Sequence, residues 1–129
     1  MCMNIVIPIV NINDKNIYFH DPIKNTVINN GDFIRILYTD KFIVSNGLQI
    51  KISVNPNKDI IEKILKLEKN ILNLYNSSSK HFFKLEEQLN YNISRYSQTS
   101  SYKNFFIIKI SGIWENNIGI GVTSKIIYI

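Results

Sequence analysis

The hydrophobic period switches once between residues 48 and 76, and no other feature constrains the fold as much. "LQIKISV" at 48–54 alternates, with Leu48, Ile50, Ile52 and Val54 on one side and Gln49, Lys51 and Ser53 on the other, the pattern of a strand with one buried face. The next run, "NPNKDIIEKILKLEKNILNLYN" at 55–76, spaces Ile60, Ile61, Ile64, Leu65, Ile71 and Leu72 by threes and fours, which predicts an amphipathic helix. Asn55 is placed to cap that helix and Pro56 to begin it, while Asp59 and Glu62 fall in the early turns, where the helix dipole favours anions. Lys58, Lys63, Lys66 and Lys69 lie between the apolar positions and read as a solvated face with ion pairs.

Period-two alternation recurs on both sides of this helix. "NIVIPIV" at 4–10 puts Ile5, Ile7 and Ile9 on one side, with Pro8 marking an edge strand or a strand start, and the turn cluster "NDKN" at 13–16 leads to "IYFH" at 17–20 as a hairpin. "FIRILY" at 33–38 sets Ile34, Ile36 and Tyr38 against Phe33, Arg35 and Leu37, and "SNG" at 45–47 marks a tight turn that would pair this run with 48–54. "KHFFKLEEQL" at 80–89 predicts a second, shorter helix with Phe82, Leu85 and Leu89 on one side, though a strand also fits, and the polar "NYNISRYSQTSSYKN" at 90–104 predicts a mobile loop. "FFIIKISGIW" at 105–114 returns to a strand, with Phe106, Ile108, Ile110 and Trp114 on one face. "ENNIG" then turns the chain into a closing strand at 120–129. Trp114 is expected to plug the core beside that turn.

At 129 residues, with 45% hydrophobic and 19% charged residues and neither an internal repeat nor a linker, the chain reads as a single globular domain, 1–129. No stretch approaches the roughly 20 apolar residues of a membrane span, and "MCMNIVIPIVNI" lacks the basic start of a signal peptide, so a soluble, intracellular protein is expected. The lone Cys2 cannot form an internal disulfide, and His20 and His81 have no cysteine partners for a zinc site, so no metal and no cofactor are expected. The net charge of +5 favours polyanionic partners, although a chain without alanine and rich in Ile, Asn, Lys, Tyr and Phe also carries the stamp of A/T-rich codons.

Catalytic signals are weak. There is no P-loop, nucleophile elbow or G-x-G-x-x-G, and "GIG" at 119–121 has no following helix to aim amides at a phosphate. Glu86 and Glu87 point in different directions on a helix, and His20 beside Asp21 reads more simply as a strand-end histidine before a turn. No enzyme and no small-molecule substrate are expected. The informative feature is a charge asymmetry: from Gln88 to Trp114 there is no acidic residue, while Arg95, Lys103 and Lys109 stand among Tyr91, Tyr96, Tyr102, Phe105 and Phe106. Cations that follow phosphates and aromatic faces that stack on unpaired bases are what single-stranded nucleic acid requires. The plainer account puts Phe106 in the core, Phe105 on an edge and the tyrosines on a loop.

The order of elements, with a hairpin, one helix and two final strands, predicts a mainly β fold with one or two helices. It matches an OB-like five-stranded barrel with its helix between the third and fourth strands. Three stretches together, "PIKNTVINNGDFIRILYTDKFIVSNGLQI" at 22–50, "KLEKNILNLYN" at 66–76 and "FFIIKISGIWENNIGIGVTSKIIYI" at 105–129, resemble small proteins of nucleocytoplasmic large DNA viruses. Those proteins look like OB-fold, single-stranded-DNA-binding relatives of a podophage replication protein, and the resemblance spans about half of the chain. Carried over by position, it touches Phe33, Arg35, Tyr38, Asn46, Gly47, Gly112, Trp114, Glu115 and Lys125. The chain departs from phage and bacterial single-strand-binding proteins in ending "SKIIYI" where those often end in an acidic tail, which points the last strand toward burial or homo-oligomerisation.

The expected function is therefore sequence-independent binding of single-stranded DNA in viral replication or recombination, in the host cytoplasm or a viral factory. Arg35, Lys51, Arg95, Lys103, Lys109 and Lys125 are the expected phosphate contacts, and Tyr96, Tyr102 and Phe105 the expected stacking residues. The alternative is a structural or adaptor subunit of a viral assembly, using the same domain to contact protein.

Overall fold

Alternating apolar residues along Phe105–Glu115 build the longest strand of the molecule, β7, and the rest of the sheet is arranged around it. The computed structural model describes residues 6–24, 31–39, 44–96 and 104–129, with Tyr96 described by its backbone only. In chain order the remaining strands are β1 (Ile17–Phe19), β2 (Ile23–Lys24), β3 (Asp32–Thr39), β4 (Val44–Asn46), β5 (Leu48–Ser53), β6 (His81–Phe82) and β8 (Ile120–Tyr128). Helix α1 spans Lys58–Tyr75 and α2 spans Lys84–Tyr96. The fold is mainly β with two helices, as expected, but the eight strands form an open mixed sheet and not a closed five-stranded barrel. The helices fall between β5 and β6 and between β6 and β7.

Antiparallel β7 pairs with β5 along its first half, with β3 along its second half, and with β8 throughout. Gly47 makes this division possible. Its φ of +70° kinks the chain between β4, which pairs with β3, and β5, which pairs with β7, so "SNG" is an in-line bend and not the turn of a hairpin between 33–38 and 48–54. A Cβ on Gly47 would stand 2.4 Å from the Ile110 carbonyl oxygen. Gly47→Ala should therefore cost about 2 kcal/mol or more in urea unfolding, from the left-handed backbone and the clash together.

The inward faces agree with the alternation. Ile34, Ile36 and Tyr38 of β3, the apolar set of β5 with Val54, and Phe106, Ile108 and Ile110 of β7 are all buried in one cluster with Ile64, Leu67, Ile71 and Leu72 of α1. The first half of the N-terminal alternation lies partly outside the described residues. Among the described residues, Val6 makes an isolated bridge to Gln49, Ile9–Asn11 form a 3-10 turn after Pro8, and β1 pairs with β3, so none of residues 6–10 pairs with 17–20 as the expected hairpin requires.

The cap of α1 is Asn57, two residues beyond the expected Asn55, because its Oδ1 accepts from the Ile60 amide at 2.9 Å. Asn76 ends the helix in the left-handed conformation with its amide donating to the Leu72 carbonyl. The second helix is longer and later than 80–89. His81 and Phe82 are strand, whereas Leu85, Leu89 and Ile93, four apart, pack one face of α2 on the core and carry it through residues expected in a loop. Glu68 of α1, almost fully buried, joins the helices: its two carboxylate oxygens accept from the amides of Leu85 and Glu86, at 2.8 and 3.0 Å, at the start of α2. Burial pushes the Glu68 carboxyl above the ordinary range; the two amides oppose that rise and the nearby Glu86 and Glu87 charges add to it.

Candidate nucleic-acid interface

The buried residues of both helices belong to the cluster on the inward face of the sheet, which leaves the opposite, outward face of β5, β7 and β8 to be described row by row. The register places Ser53 beside Phe105, then Lys51, Ile107 and Ile127 in one row, and Gln49, Lys109 and Lys125 in the next. Lys51, Lys109 and Lys125 are exposed, and Phe105 is 39% exposed. The Lys51 ammonium stands 4.3 Å from the centroid of the Phe105 ring, a cation–π contact that holds a charge beside an accessible aromatic face.

A bulge between Ile110 and Gly112 then changes the parity of β7. Phe106, Ile108 and Ile110 point inward before it and Ile113 after it, so Gly112 and Trp114 fall on the outward face. Arg35 of β3, exposed, lies opposite Gly112, and Phe33 opposite Trp114. Trp114 is thus not the expected core plug; it is half-buried on the side of the sheet that carries the lysines. Counting alternation straight through the extra residue put it on the wrong side.

Five of the expected site residues come together in this way: Arg35, Lys51, Phe105, Lys109 and Lys125. The outward strand positions in these rows include no Asp or Glu, and among the described residues none of the four cations pairs with a carboxylate. Lys109 and Lys125 face each other directly across β7 and β8. Like charges so placed disfavour folding by a few tenths of a kcal/mol or more, and a polyanion would relieve that repulsion.

Of the other expected residues, Arg95 is described and is not part of this face. Arg95 sits in the last turn of α2, donating to the Tyr91 hydroxyl at 3.1 Å. That helix packs on the inward side of β8, where Ser124 donates to Gln88 Oε1 at 2.8 Å. Tyr102, Lys103 and the Tyr96 side chain lie outside the described residues. Sequence reasoning left out Phe33, Phe82 and Trp114, three partly exposed rings on the outward side; the register partners Phe33–Trp114 and Phe82–Gly121 place them in one row. The bulge that turns Trp114 outward has no composition signal beyond the small pair Ser111-Gly112.

Near Arg35, His20 and Asp21 line a hollow with Ile23, and the His20 amide donates to the Arg35 carbonyl. Among the described residues, no group of three or more His, Cys, Asp or Glu is arranged to hold a metal ion, and no helix is long and apolar enough to cross a membrane. The chain matches no protein-family model, and neither a curated protein nor a solved structure shows significant similarity to it.

Proposed function

We propose that the chain binds single-stranded DNA without sequence preference across the outward face of β3, β5, β7 and β8, serving replication or recombination of a large DNA virus inside the infected cell. The observation that carries this reading is the grouping of Arg35, Lys51, Lys109 and Lys125 with the accessible Phe105 on one sheet face, in rows whose outward strand positions hold no Asp or Glu. Cations spaced along a strand follow a phosphate backbone, and an exposed ring accepts any base on its face, so affinity does not require a particular sequence. The chemistry is binding alone, with no cofactor.

Each phosphate neutralised on a single strand contributes about 0.7 to the slope of log affinity against log salt. Four contacts give a slope of about −3 for oligo-dT, and Lys109→Gln should reduce it by about 0.7 while leaving the fold intact, since the side chain is exposed. Fluorescence anisotropy of a labelled oligomer over a salt series measures both values. A slope that the substitution leaves unchanged would remove Lys109 from the interface.

The second reading, an adaptor subunit that contacts protein, is favoured by Ile107 and Ile127, which lie side by side and half-buried in the same row as Lys51, next to the row of Lys109 and Lys125. Homo-oligomer formation through this apolar step would appear as concentration-dependent sedimentation in the absence of DNA.

A further inference from the structure

We infer that Trp114, with Phe82 beside it, is a second base-stacking station at the far end of the same single-strand track, an inference that rests on the DNA-binding reading above. Along β7 the outward positions run from Phe105 through Ile107 and Lys109, across the bulge, to Gly112 and Trp114. The neighbouring strands set Lys51 beside Ile107, Lys125 beside Lys109 and Arg35 beside Gly112. An aromatic ring therefore stands at each end with four cations between them. With the extra residue of the bulge discounted, the two rings are eight paired rows apart, or roughly 26 Å at the rise of a strand. That length suits the several-nucleotide sites over which single-strand-binding modules contact their ligand.

Trp114 is held ready for this role. A Cβ on Gly121 would stand 2.6 Å from Cζ2 and 2.8 Å from Nε1 of the indole, so the ring lies against the β8 backbone where only glycine leaves room. Phe82, on β6, packs beside it at 5.9 Å between centroids with the planes 35° apart. A ring fixed before the ligand arrives loses little freedom on binding, which favours affinity. Lys80 places its ammonium group 5.1 Å from the Phe82 centroid and supplies a cation at this end of the track, while Lys84, 6.0 Å from the same ring, also stands 3.7 Å from the Glu87 carboxylate. That charge is why a polyanion, and not an apolar protein segment, is the occupant inferred.

Trp114 is the chain's one tryptophan, so its emission reports on this station in the unmodified protein. The experiment titrates the protein with oligo-dT of about 4 and about 16 nucleotides, lengths spanning the site sizes of such modules. Binding is followed in separate samples by anisotropy of the labelled oligomers. The expected result is strong quenching of Trp114 by the longer oligomer, affinity about tenfold weaker in Trp114→Ala, and near-normal affinity in Trp114→Phe. The double variant Lys80→Gln and Lys84→Gln, which alters only exposed side chains, should also bind the longer oligomer several-fold less tightly. Binding seen by anisotropy with unchanged emission and an unaffected lysine double variant overturns the station and leaves the DNA-binding reading standing. Absence of binding by anisotropy overturns both, and the emission and the lysine variant decide the matter if Trp114→Ala does not fold.

Discussion

Reversing Lys109 and Lys125 together to glutamate is expected to weaken binding of oligo-dT by about 100-fold at low salt, because two phosphate contacts become two repulsions. The loss should shrink as salt rises and screens both terms. Neither side chain is buried, so urea unfolding should show little change for the pair, which again opposes like charges. Lys109→Glu alone behaves differently. It creates an opposite-charge cross-strand pair with Lys125, so stability should rise by roughly 0.2–1 kcal/mol while DNA affinity falls. A substitution that stabilises the fold and damages binding marks a position held for its ligand. If both variants bind as well as the parent, the outward face is not the interface.

Glu68→Ala is expected to cost about 3 kcal/mol of stability. The substitution leaves the amides of Leu85 and Glu86 without their acceptors at the start of α2, and it opens a void in the contact between the helices. Part of that cost is offset because a carboxylate no longer has to be buried. Glu68→Gln keeps one acceptor oxygen and should lose less. The sign of the pH dependence follows from burial, which raises the Glu68 carboxyl above its ordinary 4.5 in the folded state. Its contribution to folding is fully present below that value and is lost as pH rises through the elevated one. The advantage of the parent protein over Glu68→Gln should therefore diminish as pH increases across that window, measured by urea unfolding at a series of pH values. A constant difference would mean that Glu68 titrates alike in the folded and unfolded chains.

Local pattern was readable where burial is one-sided. Ile34, Ile36 and Tyr38, the 48–54 set, and Phe106 through Ile110 all point inward as their alternation requires, and the three-and-four spacing of 60–72 is the helix α1. What pattern does not contain is pairing. β5 leaves β3 for β7 because of one positive φ at Gly47, and nothing in the alternation of 33–54 distinguishes an in-line kink from a hairpin turn. The open sheet in place of a closed barrel follows from such long-range choices. Polarity misread residues 90–96, where Leu85, Leu89 and Ile93 continue a helical face beneath exposed Asn, Tyr and Arg.

The candidate site was partly legible for the same reason. Lys51, Lys109 and Arg35 could be assigned outward by parity from buried neighbours, and Lys125 joins them through the register of β8. Trp114 could not, because the bulge at Ser111 adds one residue and reverses every position after it. Its three neighbouring glycines carry no such signal in one dimension; only in the folded sheet does Gly121 make room for the indole.

The central claim is that the outward face binds single strands through phosphates and stacked bases. Its most direct test is a titration of the purified protein against labelled oligo-dT and a duplex of equal length, each at about 50 and about 200 mM salt. The expected result is clearly tighter binding of oligo-dT, with an affinity that falls about 50-fold between the two salt concentrations if four phosphates are neutralised. Equal affinity for duplex and single strand, or binding that does not weaken as salt rises, would contradict it.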